Sequence, residues 1–314
     1  MKSNPRVICN HKGELPGPLL IVIGGMHGNE PAGVRAIDLM GKMLEVEPIT
    51  NLDFKYRGNF IGIIGNLEAY NQQQRFIERD LNRMFLPEFI SKTKNLPLEE
   101  LSSEEKELKG IIDTVDEAIA EINPSQVIVL DLHTTSSHGG IFTIPSEDQE
   151  SLRIAIELHA PVIKDMLKGI RGTTLHYFNE KNLGKPAVAV TFESGQHTDP
   201  LSINRAIAAI TNCMRSIGAV REQDVENRHD SLLIEYSADL PKVARLVQRH
   251  GIKPSDGFRM VQGFNNFEKI KAGQHIASDK NGPIYASDDG CLLMPLYQEK
   301  GEDGYFLIQE LQGY

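Results

Sequence analysis

Leu19-Leu20-Ile21-Val22-Ile23-Gly24-Gly25-Met26-His27-Gly28-Asn29-Glu30-Pro31 carries the decisive pattern of this chain. Five apolar residues in a row, Leu19 to Ile23, read as a strand buried on both faces, the mark of a parallel sheet. Pro31 suits the first turn of a helix. Beyond it Val34, Ile37, Met40 and Leu44 fall on one helical face. His27 and Glu30 therefore lie on a strand-to-helix connection, where open α/β sheets place their sites. One imidazole and one carboxylate make half of a normal zinc ligand set. Taken alone, the pair reads equally well as polar loop residues.

The same alternation continues outward. Phe60 to Ile64, Val127 to Leu132 and Ala187 to Phe192 read as strands, and Leu108 to Ile122 and Ile203 to Ile217 as amphipathic helices. Ser151 to Lys168 reads as helical, with Pro161 as a break or restart. The pattern predicts an α/β fold with a mixed, largely parallel sheet flanked by helices. It changes near residue 222. Short strand-like pieces follow, at Leu232 to Tyr236, Phe258 to Val261, Gly282 to Ala286, Leu292 to Tyr297 and Tyr305 to Ile308, with a helix expected at Pro241 to Arg249. The expected division is a catalytic domain at 1–222 and a smaller, mostly-β domain at 223–314 that shapes the active-site mouth. Ser91 to Lys109 reads as surface, and the acidic run Glu99 to Glu107 as a solvated face.

Composition narrows the function classes. A net charge of −10 disfavours nucleic acid and anionic membranes as partners, yet leaves room for a local basic pocket and a small anionic substrate. No apolar run approaches a membrane span or a signal-peptide core, which predicts a cytoplasmic protein. Cys9, Cys213 and Cys291 are scattered and form no CxxC, which fits a reducing compartment and argues against a cysteine zinc site. A homo-oligomer is compatible with this composition.

Three more segments bear chemistry. His133 directly follows the strand Val127 to Leu132 and would complete a His₂Glu set with His27 and Glu30, the donors of a catalytic zinc with an open position. Water held at such a site becomes a nucleophile near neutral pH. Arg75-Phe76-Ile77-Glu78-Arg79-Asp80-Leu81-Asn82-Arg83 offers guanidinium groups and an amide, suited to gripping a carboxylate and stabilising an oxyanion. Glu193, after the strand Ala187 to Phe192, would serve beside activated water as general base and then as the acid for the leaving amine.

These segments, GGMHGNEPAG (24–33), RFIERDLNRMF (75–85), DLHTTSSHGG (131–140) and FESGQ (192–196), resemble the succinylglutamate desuccinylase/aspartoacylase family, whose catalytic domain is similar to the zinc carboxypeptidases. The resemblance spans about the first 200 residues, in the family's order. It implies one Zn²⁺ per chain on His27, Glu30 and His133, with Glu193 as general base. It implies Arg75 as the group that polarises the scissile carbonyl, and Asn82 and Arg83 as holders of the substrate α-carboxylate. Asp80 resembles the acid that orients a zinc histidine. The reaction implied is hydrolysis of the amide of a small N-acyl amino acid. Cobalt or manganese could replace zinc. A carboxypeptidase acting on peptide C-termini and a non-catalytic metal-binding protein are the alternatives. One departure stands out: where aspartate-specific members carry a further arginine before the catalytic glutamate, this chain has Leu183, with Lys181 and Lys185 as candidate point charges. Tyr305 lies near where some members supply a substrate-contacting tyrosine. His138 and His197 are extra histidines close to the motifs.

Overall fold

The computed structural model describes residues 5–225 and 228–313. Strands form at β1 (Val7–Lys12), β2 (Leu15–Gly24), β3 (Arg57–Ile64), β4 (Val127–Thr135), β5 (Phe142–Pro145), β6 (Val162–Lys164) and β7 (Ala187–Gln196). Helices α1 (Pro31–Thr50), α2 (Leu67–Gln72), α3 (Pro87–Asn95), α4 (Ser103–Ile122), α5 (Gln149–Glu157), α6 (Met166–Gly169), α7 (Thr174–Tyr177), α8 (Glu180–Leu183), α9 (Leu201–Ser216) and α10 (Arg228–Tyr236) connect them or follow them. Later come β8 (Val243–Gly251), β9 (Arg259–Met260), β10 (Lys269–Ile270), β11 (His275–Asp279), β12 (Gly282–Tyr285), β13 (Gly290–Leu293) and β14 (Asp303–Glu310).

One eleven-stranded sheet runs in the order β1-β3-β2-β4-β7-β5-β6-β8-β14-β13-β10. Its centre, β3-β2-β4-β7, is parallel throughout. These strands read as continuous apolar runs because both faces are covered. Leu20, Val22, Ile128 and Leu130 pack with α1, α5 and α9, while Leu19, Ile21, Val127 and Val129 pack with α4 on the opposite face. From β2 the chain steps to β3 on one side and to β4 on the other. The crevice at their carboxyl ends is thus a topological switch point, where such folds bind ligands.

The second part of the chain extends this sheet, because β6 pairs with β8 and β8 with β14. A separate three-stranded sheet, β12-β11-β9, stands beside it. Among the described residues no helix is long and apolar enough to cross a membrane.

Two expectations are exchanged here. Leu232 to Tyr236 is helical, not extended, and Val243–Gly251 is a strand where a helix was expected. A short apolar run has no period of its own to separate the two states. Leu233 is buried in the cluster that also holds α9, whereas β8 finds a hydrogen-bonding strand on each side. Between Ser151 and Lys168 the chain also departs from the helical reading. α5 ends at Glu157, and the three residues of β6 bridge the two halves of the sheet.

Candidate metal and active site

His27 leaves β2 through a turn that needs glycine. A Cβ on Gly28 would lie 2.1 Å from the Ala69 carbonyl carbon, and Gly25 holds φ at +66°. The Gly28 N–H donates to the Arg75 carbonyl at 3.2 Å, which ties this turn to the arginine segment. Glu30 is the residue before α1, and its N–H donates to the His27 carbonyl. His133 stands at the end of β4, directly opposite Glu193 on the adjacent parallel strand β7.

The three expected metal-binding residues converge. Their donor atoms all lie within 4.8 Å of one another, and all three side chains are buried. His27 Nδ1 is 2.8 Å from Glu30 Oε1, and His133 Nδ1 is 3.2 Å from Glu30 Oε2. Each imidazole is held from behind by a carboxylate: His27 Nε2 lies 3.1 Å from Asp80 Oδ1, and His133 Nε2 lies 3.0 Å from Asp131 Oδ2. That backing fixes ring orientation, leaves Nδ1 facing inward and raises ligand basicity. Two imidazoles, one carboxylate and two orienting acids fit zinc chemically.

Asp80 is the acid the sequence pointed to. Asp131 was missed, although two signals were present. It interrupts an apolar strand, and residues i and i+2 of a strand share a face. Thr174 Oγ1 donates to Asp131 Oδ2 at 2.6 Å.

Charge follows this packing. Burial opposes ionisation of Glu30, but His27 and His133 outweigh it and hold the carboxyl well below the usual range. Burial likewise opposes Asp80, and His27, Arg75 and Arg83 hold it well below its ordinary value. Burial lowers His133, yet Asp131 and Glu30 carry it well above the usual imidazole range. Glu193 moves the other way. Burial pushes it up to about 8; His133 offsets part of this, and Glu30 and Asp131 add to it. Its Oε2 is buried without a hydrogen-bond partner.

The arginine segment closes the other side. Arg75 points its guanidinium at the site, 3.5 Å from Glu30 Oε1 and 3.2 Å from Asp80 Oδ2. Asn82 Oδ1 accepts from the Thr174 N–H at 3.1 Å, and its Nδ2 lies 3.5 Å from His133 Nε2. Arg83 turns toward the end of the chain and donates to Asp303 Oδ2 at 2.7 Å, with Glu302 at 3.8 Å. Arg249 holds the other Asp303 oxygen.

This segment is pinned from below by α4, where a solvated acidic face was expected. Glu104 is fully buried and accepts the N–H groups of Ile77, Glu78 and Arg79 at 2.7, 3.0 and 3.2 Å, and Asn66 Nδ2 at 3.2 Å. Glu107 accepts the N–H groups of Leu67 and Glu68 and pairs with Arg6. Glu105 is buried as well, closing the capping box at the start of α4. N–H groups of the loop 77–79 and of the starts of α2 and α4, which have no strand or helix partner, donate to these carboxylates.

The remaining candidates fall outside the cleft. Tyr305 is buried and stacks on His250 with ring centroids 4.9 Å apart, while its neighbour Phe306 reaches the cleft. His197 hydrogen-bonds the Thr134 hydroxyl at 2.7 Å. His138 is exposed. Lys181 is exposed, and Lys185 donates to Asn123 at the surface.

An open sheet with a parallel centre, carrying at its switch point two histidines and a glutamate grouped closely enough to hold a metal ion, defines an α/β protein with a candidate metal site. The model of the succinylglutamate desuccinylase/aspartoacylase catalytic domain matches residues 16–217, and the chain belongs to that family. The probable aspartoacylase of Nostoc sp. is 32% identical over 123 residues, which span 39% of this chain and 37% of that protein. The succinylglutamate desuccinylase of Pseudomonas paraeruginosa is 24% identical over 287 residues, 86% of this chain and 76% of that one. Among solved structures, the product-bound ectoine utilization protein EutE (DoeB) from Ruegeria pomeroyi superposes with a TM-score of 0.64 at 15% identity, covering 96% of this chain and 87% of that one. Succinylglutamate desuccinylase from Vibrio parahaemolyticus gives 0.56 at 16% identity, over 95% and 83%. At these identities the superpositions speak for the fold.

Proposed function

We propose that this protein is a zinc-dependent hydrolase that cleaves the amide bond of an N-acyl amino acid. The observation that carries the reading is the convergence of His27, Glu30 and His133, each ring backed by an acid, beside a buried Glu193 with an unpartnered oxygen. His27, Glu30 and His133 would hold the metal; zinc supplies a Lewis acid that polarises a carbonyl and makes water nucleophilic near neutral pH.

The chain's own residues do the rest. Glu193 takes the proton of the attacking water as the oxygen–carbon bond forms. It returns that proton to the nitrogen as the carbon–nitrogen bond breaks, giving a carboxylic acid and a free amine. A carboxyl lifted by burial is suited to both halves of that exchange. Arg75 donates to the oxygen that gains charge. Arg83 and Asn82 fix the substrate carboxylate, so that the reaction depends on position as well as acidity. In this reading residues 1–222 carry the chemistry and 223–314 shape the mouth. Met294, Gln298 and Asp303 on the cleft wall favour a small substrate over a peptide.

The test is a hydrolysis panel of N-acyl amino acids, with metal analysis and a chelator arm. Activity lost on chelation and restored by zinc is expected. Glu193→Gln should retain zinc and lose turnover by about 10²–10⁴. Unchanged turnover in that variant would remove the assigned base.

A further inference from the structure

Beyond the metal-facing residues, the cleft has a wall that the mechanism leaves unused. Ile144, Leu167, Ile170, Leu175, Met294 and Phe306 line it. Four of these, Ile144, Ile170, Leu175 and Phe306, are buried members of the core cluster, and the other two pack against it. This side of the cleft is therefore the exposed edge of the hydrophobic core, interrupted by the hydroxyls of Thr173 and Thr191 but carrying no cationic side chain.

The charges that line the cleft point the same way. Besides the histidines of the candidate metal group, its cationic side chains, among the described residues, are Arg75 and Arg83, against the carboxyl groups of Glu30, Glu193, Glu302 and Asp303. Arg75 is engaged with Glu30 and Asp80, and Arg83 has one arm on Asp303 and the other on the Asn82 carbonyl. No further guanidinium arrives from the segment before Glu193. Leu183 packs into the core, Lys181 is exposed and Lys185 is tied to Asn123. A substrate with a second carboxylate would set it against apolar carbon, beside neutral hydroxyls such as Thr173 and Thr191, or beside Glu302 and Asp303, in each case without a counter-charge. An ionised group left unpaired in such surroundings is strongly disfavoured.

We infer that the substrate is an N-acyl amino acid with a single carboxylate and an apolar body, not an N-acyl dicarboxylic amino acid. The inference rests on the deacylase reading above. It assigns Ile144, Leu167, Ile170, Leu175 and Phe306 as the residues that select the substrate.

The experiment compares kcat/KM of the zinc-loaded protein for N-acetyl-leucine, N-acetyl-methionine and N-hexanoyl-glycine with that for N-acetyl-aspartate and N-succinyl-glutamate. At least one apolar substrate is expected to exceed both N-acetyl-aspartate, with two carboxylates, and N-succinyl-glutamate, with three, by about 100-fold, the scale on which an apolar pocket discriminates. The first two substrates against the third tell whether the wall takes the side chain or the acyl group. Preference for either polycarboxylate overturns the inference and leaves the deacylase reading standing. No hydrolysis of any of them by zinc-loaded protein overturns both. Calorimetric binding to Glu193→Gln should rank the substrates in the same order, and a polycarboxylate bound most tightly there also refutes the inference. Leu167 is half-buried, so Leu167→Arg can carry its charge to the cleft edge. It should narrow the apolar preference by about tenfold or more. An unchanged ratio in folded Leu167→Arg would show that this wall does not face the substrate.

Discussion

Replacing Glu104 by alanine removes the acceptor of four hydrogen bonds in a fully buried position, three of them from consecutive backbone N–H groups of the loop between Arg75 and Asp80. Each bond to a charged acceptor contributes about 1.5–3 kcal/mol. The sum overstates the loss, because the variant no longer desolvates a carboxylate and water can enter the space. The net cost expected is about 3–5 kcal/mol, the range for breaking a buried charged contact from one side. In a domain of this size that lowers Tm by roughly 6–20 °C. The functional effect should exceed what lost stability explains. Arg75 and Asp80 sit at the two ends of the released loop, and a displacement of about 1 Å at such groups can cost about 10² in rate. Thermal melts and kcat/KM measured well below the variant's Tm separate the two effects. Glu104→Gln keeps one acceptor oxygen and should recover part of both. A loss under about 1 kcal/mol in Glu104→Ala, or a Glu104→Gln no better than alanine, would refute the account.

Arg75→Ala should reduce kcat by about 10²–10³ with zinc content unchanged, and near-normal turnover would remove its assigned role. Asp131→Asn should weaken zinc binding by about 10- to 100-fold, measured by competition with a chelator, because His133 loses the acid that orients it. Asp148 caps α5 by accepting the Ser151 N–H at 2.8 Å. Burial pushes its carboxyl up, but the bonds from Ser151 and Ser146 outweigh this and hold it below its ordinary value. A depressed folded-state pKa adds stability that is complete above the unfolded value and is lost as pH falls through the folded one. Asp148→Ala should therefore cost about 1 kcal/mol at neutral pH and progressively less as pH falls below the ordinary carboxylate range, and a cost independent of pH would contradict the capping role.

The central strands and the candidate metal-binding residues after them were readable because burial on both faces leaves an almost continuous apolar run, broken in β4 only by Asp131. Near the carboxyl ends of β2, β4 and β7 stand residues whose chemistry is unlike the run before them: His27 and Glu30 shortly after the first, His133 and Glu193 in the last few residues of the others. The rest was not readable, for a shared reason. Whether Leu232 to Tyr236 coils or extends depends on α9, and whether Val243–Gly251 extends depends on β6 and β14. Glu104 looks like any surface acid until the loop carrying Ile77 to Arg79 is laid across it.

The order of polar and apolar residues along the chain was enough for the parallel centre of the sheet, its switch point and the candidate metal-binding residues, since each follows from local period and from which residue stands near the end of a strand. Distances between donors, the acids behind each imidazole and the apolar wall opposite them are contacts between segments far apart in sequence. Arg83 meets Asp303 across 220 positions, and only folding brings that carboxylate to the cleft. Selection of the substrate depends on those contacts, because discrimination in a cleft is set by what lines its walls and not by the residues that perform the chemistry.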